Sequence, residues 1–152
     1  LLEELRHDDT ASQLDAISHL AEMNDPRIVP ALSDLMARSN SEQVMESIAQ
    51  AMEQKKDQKA TPALEKALAR DFDPFLKLSI AKALVGLNNQ TGYSALVEIL
   101  KNDEAGFARS QALDLIKTKA GSDFGYNPEK TAAENKDALI HIEDWLRQLK
   151  LS

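Results

Sequence analysis

The feature of the sequence that most constrains the fold is an internal repeat of 32 residues. Three segments align without gaps, at residues 25–36, 57–68 and 89–100, and each contains an Ala-Leu pair at the same place. The residues upstream keep this spacing, because four apolar clusters follow one another at 16–20, 48–52, 80–84 and 112–116. A repeat of this length is typical of solenoid proteins, in which each unit packs on its neighbours.

Both halves of the repeat carry the signals of helices. Apolar residues at 28, 31, 32, 35 and 36 follow the i, i+3, i+4, i+7, i+8 spacing of an amphipathic helix. Residues that can cap a helix N-terminus recur at the predicted helix starts: Asp9, Ser41 and Asp73 in the first halves, Asp25, Asp57 and Asn89 in the second halves. Pro26 and Pro74 follow two of these caps, at the first helical position, where a missing N–H costs little.

These units predict a single all-α domain, an α-solenoid with a right-handed superhelix of stacked helix pairs and a C-terminal capping helix. We expect residues 1–8 to end a preceding repeat, three repeats at 9–40, 41–72 and 73–104, and a terminal repeat at 105–152. Residues 1–8 lack the rest of their repeat, so we expect the chain to be part of a longer repeat protein. Leu1, Leu2 and Leu5 should then form an exposed apolar edge.

The terminal repeat departs from the pattern, because Gly121 stands where a cap is expected. A loop of about ten residues should follow. Thr131 and Glu134 have the spacing of a capping box that opens the last helix. The apolar face of that helix should comprise Ala138, Leu139, Ile142, Trp145, Leu146 and Leu149. Phe124, Tyr126 and Trp145 either pin the loop to this helix or line a pocket.

Composition and charge narrow the classes of partner. The chain has a net charge of −7, no cysteine and 43% hydrophobic residues, which indicates a folded globular protein without disulfides or thiolate metal sites. No apolar run is long enough to cross a bilayer, and the acidic balance disfavours nucleic acid. The compartment stays open, with the cytoplasm as the default expectation.

No catalytic, cofactor or metal site is predicted. His7, His19 and His141 lack the helical spacing of paired metal ligands. Adjacent carboxylates such as Glu143 and Asp144 point in different directions on a helix. Gly121 and Gly125 are not followed by the Lys and Ser or Thr of a phosphate-binding loop. We therefore expect a protein that is not an enzyme.

Residues 73–86 resemble a HEAT-like repeat, of the kind found in bilin lyase-type and many bacterial scaffold proteins. Leu76 matches the apolar residue of that motif, Lys77 its arginine and Gly86 its glycine. The next repeat keeps the arginine at Arg109, whereas Gln13 and Met45 replace it earlier. Residues 120–128, with a helix containing Trp145, look like the terminal segment of some bacterial HEAT-repeat proteins. The resemblance implies an interaction scaffold.

The leading hypothesis is a non-catalytic scaffold whose second helices present a concave surface to a protein or peptide. Seven residues are candidates for partner contact: Arg27, Arg38, Lys59, Lys66, Arg70, Tyr93 and Glu98. Acidic residues dominate the outer positions of the first helices: Asp15, Glu22, Glu42, Glu46 and Glu53. A solvated surface without a partner is an open alternative. So are a tetrapyrrole-binding chaperone, which the bilin lyase resemblance implies, and a nucleic-acid-binding HEAT-like protein.

Overall fold

The computed structural model describes residues 1–151, and within them the chain is helical without strands. Eight α-helices follow one another: α1 (Thr10–Leu20), α2 (Ile28–Arg38), α3 (Glu42–Lys55), α4 (Thr61–Leu68), α5 (Pro74–Gly86), α6 (Gln90–Leu100), α7 (Phe107–Ala120) and α8 (Lys136–Gln148). Short 3₁₀ turns lie at Leu2–Arg6, Gln58–Ala60 and Asp103–Ala105.

The helices form two layers, as the repeat predicts. The first helices stack in chain order, with α1 on α3, α3 on α5 and α5 on α7. In the second layer α2 packs on α4, and α8 packs on α6 where a fourth second helix would otherwise lie. The prediction of an all-α solenoid with stacked helix pairs is therefore confirmed.

Helix α5 joins the two parts of the hydrophobic core. Leu76, Ile80 and Leu84 belong to a cluster that extends back to Leu5. Leu78 and Ala81 of the same helix belong to a second cluster that extends forward to residue 142. Because α5 buries apolar side chains in both directions, the core runs continuously from one repeat to the next, as a solenoid requires.

The first helices begin at the predicted caps. The side chains of Asp9, Ser41 and Asp73 accept the backbone N–H groups of Ala11, Val44 and Phe75. Pro74 occupies the first turn of α5, so this prediction is also confirmed.

The second helices begin later than predicted in two of three repeats. Asn89 caps α6 directly, but Asp25 accepts the Arg27 N–H in a turn, and α2 begins at Ile28. Asp57 likewise holds a 3₁₀ turn, which delays α4 to Thr61. A carboxylate that accepts the N–H two residues on stabilises a turn as well as a helix start. The placement of Pro26 at the first helical position was therefore wrong.

The C-terminal loop is longer than predicted. Thr131 and Glu134 do exchange the two hydrogen bonds of a capping box, at 3.2 Å each. They close a turn, however, and α8 begins at Lys136, so the predicted helix start was wrong. Asn135 explains the difference, because its buried amide donates to the carbonyls of Asn127, Lys130 and Thr131 and ties the loop to the helix start.

Aromatic side chains pin this loop to the capping helix. Phe124 packs against Trp145 with ring centroids 6.1 Å apart. The Tyr126 hydroxyl donates a 2.6 Å hydrogen bond to the Leu100 carbonyl, and burial raises the pKa of Tyr126. Of the two roles considered for these aromatics, pinning the loop is the one that the structure supports.

At the N-terminus the predicted apolar edge is smaller than expected. Leu1 is 45% exposed, but Leu5 is buried in the core and Leu2 is partly covered. The prediction was wrong for Leu5, because its side chain packs under α1 and α2.

Candidate partner-binding surface

The second-helix face comprises the exposed sides of α2, α4 and α6 together with the turns that precede them. Five predicted contact residues are exposed on this face: Arg27, Arg38, Lys59, Lys66 and Glu98. The other two predicted residues, Arg70 and Tyr93, lie in different surroundings.

In the first repeat, both arginines of this face are engaged in local ion pairs. Arg27 donates to Asp25 at 2.7 Å, and this hydrogen bond lowers the pKa of Asp25 to about 2. Arg38 pairs with Asp34 at 2.9 Å, one helical turn earlier. In the second repeat, Lys59 and Lys66 are exposed, and no carboxylate of residues 1–151 lies within ion-pair distance of either ammonium.

Arg70 has a structural role, which its prediction as a contact residue did not include. Its guanidinium donates to the Met36 and Ser39 carbonyls at 3.1 and 2.9 Å and to the Asn40 side chain at 3.1 Å. The same group lies 4.7 Å from the centre of the Phe72 ring. Arg70 thereby satisfies carbonyls that the end of α2 leaves unpaired, and it joins two repeats.

Tyr93 cannot serve as an interface anchor, because it is only 2% exposed. Its ring meets Trp145 edge-to-face at 5.9 Å, and burial raises its pKa. The prediction was wrong because the first turn of α6 lies close against α5. A Cβ atom added at neighbouring Gly92 would stand 2.8 Å from the Val85 backbone nitrogen.

In the third repeat, the second-helix face exposes a carboxylate, whereas its lysine is engaged in ion pairs. Lys101 bonds Glu143 at 2.7 Å and reaches Glu98 at 3.5 Å, and the hydrogen bond to Glu143 raises the pKa of Lys101. The Glu98 side chain is 72% exposed and lines a groove between α4 and α6.

This open groove has a volume of about 550 Å³ and lies at the ends of α4 and α6 and the start of α5. Its lining residues are Leu68, Asp71, Phe72, Pro74, Lys77, Ala95, Glu98, Ile99, Asn102 and Glu104. It therefore combines an apolar floor with three carboxylates and one ammonium.

Three acidic residues of α3 have a different role from those near the open groove. Glu46 accepts a 2.6 Å hydrogen bond from Ser79, and Glu53 pairs with Lys82 at 3.6 Å. Glu42 accepts the Asp73 N–H at 3.3 Å. All three link α3 to the following repeat, so they stabilise the stack.

Sequence reasoning missed the role of Arg109. This buried residue of α7 donates to the carbonyls of Pro128 and Lys130, pairs with Asp103 at 3.4 Å, and lies over the Tyr126 ring. The HEAT-like motif identified the arginine, but its contacts depend on a loop that has no counterpart in the other repeats. Arg109 fixes that loop.

Residues 1–151 hold no cluster of three or more side chains suited to a metal ion. His7, His19 and His141 are exposed and lie on separate elements. No helix within this range has the length and apolar character needed to traverse a bilayer.

Comparison with known proteins agrees with this geometry. A family model described as HEAT repeats matches residues 1–85 and, in a second overlapping match, residues 37–117. No curated protein and no solved structure matches the sequence. HEAT repeats generally mediate protein–protein interactions and are typically non-catalytic. The match covers most of the chain and agrees with the two-layer stack, and the chain therefore belongs to the HEAT-repeat family.

Proposed function

We propose that this protein is a non-catalytic binding module whose second-helix face holds an extended protein segment of mixed charge. The repeating modules of this proposal are residues 9–40, 41–72 and 73–104, with residues 105–152 as the terminal unit. The tetrapyrrole alternative gains no support, because Phe124, Tyr126 and Trp145 pack in the C-terminal unit rather than along a groove.

The observation that carries the proposal is a contrast between α3 and the second-helix face. Carboxylates of α3 are used in contacts between repeats, whereas Lys59, Lys66 and Glu98 on the second-helix face stand exposed. Exposed charges of one sign attract a partner that carries the opposite sign. The face offers cations at the second repeat and carboxylates at the third, so a segment with acidic residues at one end and basic residues at the other is complementary.

The test uses peptides enriched from a displayed library of short random sequences. Their affinities are measured by fluorescence anisotropy against the wild type and the double variant Lys59→Glu/Lys66→Glu. We expect binding to weaken about three- to tenfold and to lose part of its salt dependence.

A matched control reverses two exposed lysines of the other layer, Lys117 and Lys119 on α7. Circular dichroism verifies that both double variants keep the fold. Equal weakening by the two variants would show that only net charge matters. Weakening by the α7 variant alone would place the partner on the first helices and overturn the proposal.

A further inference from the structure

The repeat register allows the open groove between α4 and α6 to be compared with its counterpart one repeat earlier. Subtracting 32 from Leu68, Asp71 and Asn102 gives Met36, Ser39 and Arg70. The counterpart therefore lies between α2 and α4, and Arg70 occupies it. Its guanidinium donates to the carbonyls of Met36 and Ser39 at 3.1 and 2.9 Å.

In the third repeat the arginine is replaced by Asn102, which is too short to cross the gap. Its side chain is also engaged elsewhere, since its oxygen accepts the Glu104 N–H at 3.0 Å. Among residues 1–151, no donor reaches the carbonyl of Leu68 or Asp71, the two positions that correspond to the acceptors of Arg70. The groove thus keeps the acceptors of a guanidinium site but lacks the guanidinium.

The spacing of the helices is consistent with this difference. α2 packs on α4, but α4 makes no comparable contact with α6. Instead α6 is drawn onto α5, in the most extensive helix–helix contact of the described chain. Gly92 permits this close approach, and the same repeat position holds Ile28 and Ala60 in the earlier repeats.

Charge at the open groove favours a cation. Glu98 and Glu104 stand where the preceding groove has Lys66 and Phe72, and Asp71 replaces Ser39. Lys77 contributes one positive charge to the lining, which keeps a net negative charge. Lys101 lies 3.5 Å from the Glu98 carboxylate, but its shorter contact, at 2.7 Å, is with Glu143 outside the groove. A planar guanidinium can bond carbonyls and carboxylates together, which a compact ammonium does less well.

Two exposed phenylalanines lie on the same edge of the solenoid. Phe75 at the start of α5 is 45% exposed, and Phe107, one repeat later at the start of α7, is 77% exposed. Both follow connections that leave the C-terminal ends of the second helices, where the groove opens. Apolar surface beside a charged socket suits a peptide that carries the arginine better than a free small cation.

We propose that the open groove binds an arginine side chain of the partner segment, in the place that Arg70 fills one repeat earlier. This assignment rests on the proposed function and names the chemistry of the residue that the third repeat recognises. The carbonyls of Leu68 and Asp71 and the carboxylates of Asp71, Glu98 and Glu104 are the acceptors.

The test is a ¹H–¹⁵N NMR titration with capped pentapeptides that carry a central arginine between apolar residues. Peptides with lysine or citrulline at the centre, and N-acetylarginine amide alone, serve as matched probes. We expect the arginine peptide to shift the amides of residues 68–72 and 102–104 with a Kd on the order of 0.1–1 mM. Citrulline has the same shape without the charge and should bind at least about tenfold more weakly.

The variant Asn102→Arg is the sharpest control, because it restores the arginine of the preceding repeat. Its own guanidinium should occupy the groove, abolish binding of the arginine peptide and raise the melting temperature of the free protein. Asn102→Ala should bind as the wild type does. Lys77→Met, which copies Met45 of the preceding repeat, should tighten binding about two- to fivefold.

The outcomes separate this inference from the general function. Equal binding of the arginine and citrulline peptides, or full binding by Asn102→Arg, would overturn the proposal that the open groove binds an arginine side chain. N-acetylarginine amide binding as tightly as the peptide would overturn recognition of a peptide segment. Neither result would change the affinity of the library peptides, which tests the proposed function separately. If those peptides bound the Lys59→Glu/Lys66→Glu variant as tightly as the wild type, the proposed function would be refuted.

Discussion

The two grooves between successive second helices are formed by equivalent positions of the repeat, yet one groove is closed and the other is open. Between α2 and α4, Arg70 bridges the repeats through the Met36 and Ser39 carbonyls. Between α4 and α6, the Asn102 side chain bonds its own segment, and a groove of about 550 Å³ stays open. A solenoid can therefore create a site by omitting one internal contact while the rest of the stack is kept.

The C-terminal unit supplies a third case, in which an arginine of the first-helix layer also donates hydrogen bonds to backbone carbonyls. Arg109 of α7 bonds the carbonyls of Pro128 and Lys130, which belong to an irregular loop. In two places, then, a guanidinium bonds carbonyls at a helix end or in a loop, and in a third place no guanidinium is present. Single substitutions can change each of these features in turn.

The largest expected loss follows from Arg109→Ala. Removing this buried side chain leaves the Pro128 carbonyl without a donor and takes one donor from the Lys130 carbonyl and from the Asp103 carboxylate. We therefore expect the unfolding free energy to fall by about 3 kcal/mol in urea titrations. Arg109→Lys should recover only part of the lost stability, because an ammonium lacks the planar, bidentate donor geometry of a guanidinium. Arg147→Ala, which removes an exposed pair with Asp144, should cost less than about 1 kcal/mol. Similar losses of stability for Arg109→Ala and Arg147→Ala would mean that the loop between α7 and α8 keeps its conformation without Arg109.

Gly92→Ala should cause the next largest loss of unfolding free energy. The added Cβ would stand 2.8 Å from Val85 N and 2.9 Å from Ala81 O, so α6 must move off α5, at a cost of about 1–3 kcal/mol. Gly86→Ala on α5 is the control, since nothing lies within 4 Å of its added Cβ and the change should stabilise by about 0.5–1 kcal/mol. If both variants gain stability, the close approach of α5 and α6 does not depend on Gly92.

The layered stack was predictable because its causes are local and repeat along the chain. Helical spacing and the caps at Asp9, Ser41 and Asp73 depend on residues within a few positions of each other, and they were confirmed. The surface was harder to predict. Arg70 bonds carbonyls more than 30 residues away, and the Tyr93 ring packs on Trp145 of a capping helix that begins 43 residues later.

The replacement of Arg70 by Asn102 can be read directly from the 32-residue register of the sequence. Its meaning cannot, because charge and spacing alone do not distinguish a guanidinium that bonds helix-end carbonyls from one that is free for a partner. The same limit applies to Glu46 and Glu53, whose contacts with Ser79 and Lys82 lie about one repeat away.

Arg70→Ala should open the closed groove at a moderate cost. The half-buried guanidinium makes three hydrogen bonds and stacks on Phe72, so we expect a loss of about 1–2 kcal/mol in unfolding free energy. Arg38→Ala, on an exposed pair within α2, should change stability by less than about 0.5 kcal/mol. Equal effects would show that Arg70 contributes no bridge between repeats.

The smallest expected effect on stability depends on pH and concerns the turn that precedes α2, where an arginine pairs with the carboxylate of the turn. The hydrogen bond from Arg27 lowers the pKa of Asp25 to about 2, from an ordinary value of 3.8. A carboxyl whose pKa is lower in the folded state stabilises the fold above its unfolded pKa, and this contribution is lost as the pH falls. Between about pH 4 and pH 2, thermal midpoints of Asp25→Asn should therefore decline slightly less steeply than those of the wild type. Parallel declines for wild type and Asp25→Asn would show that the Arg27 pair adds nothing to stability in solution. Only a small contribution is expected, because the Arg27 side chain is 75% exposed.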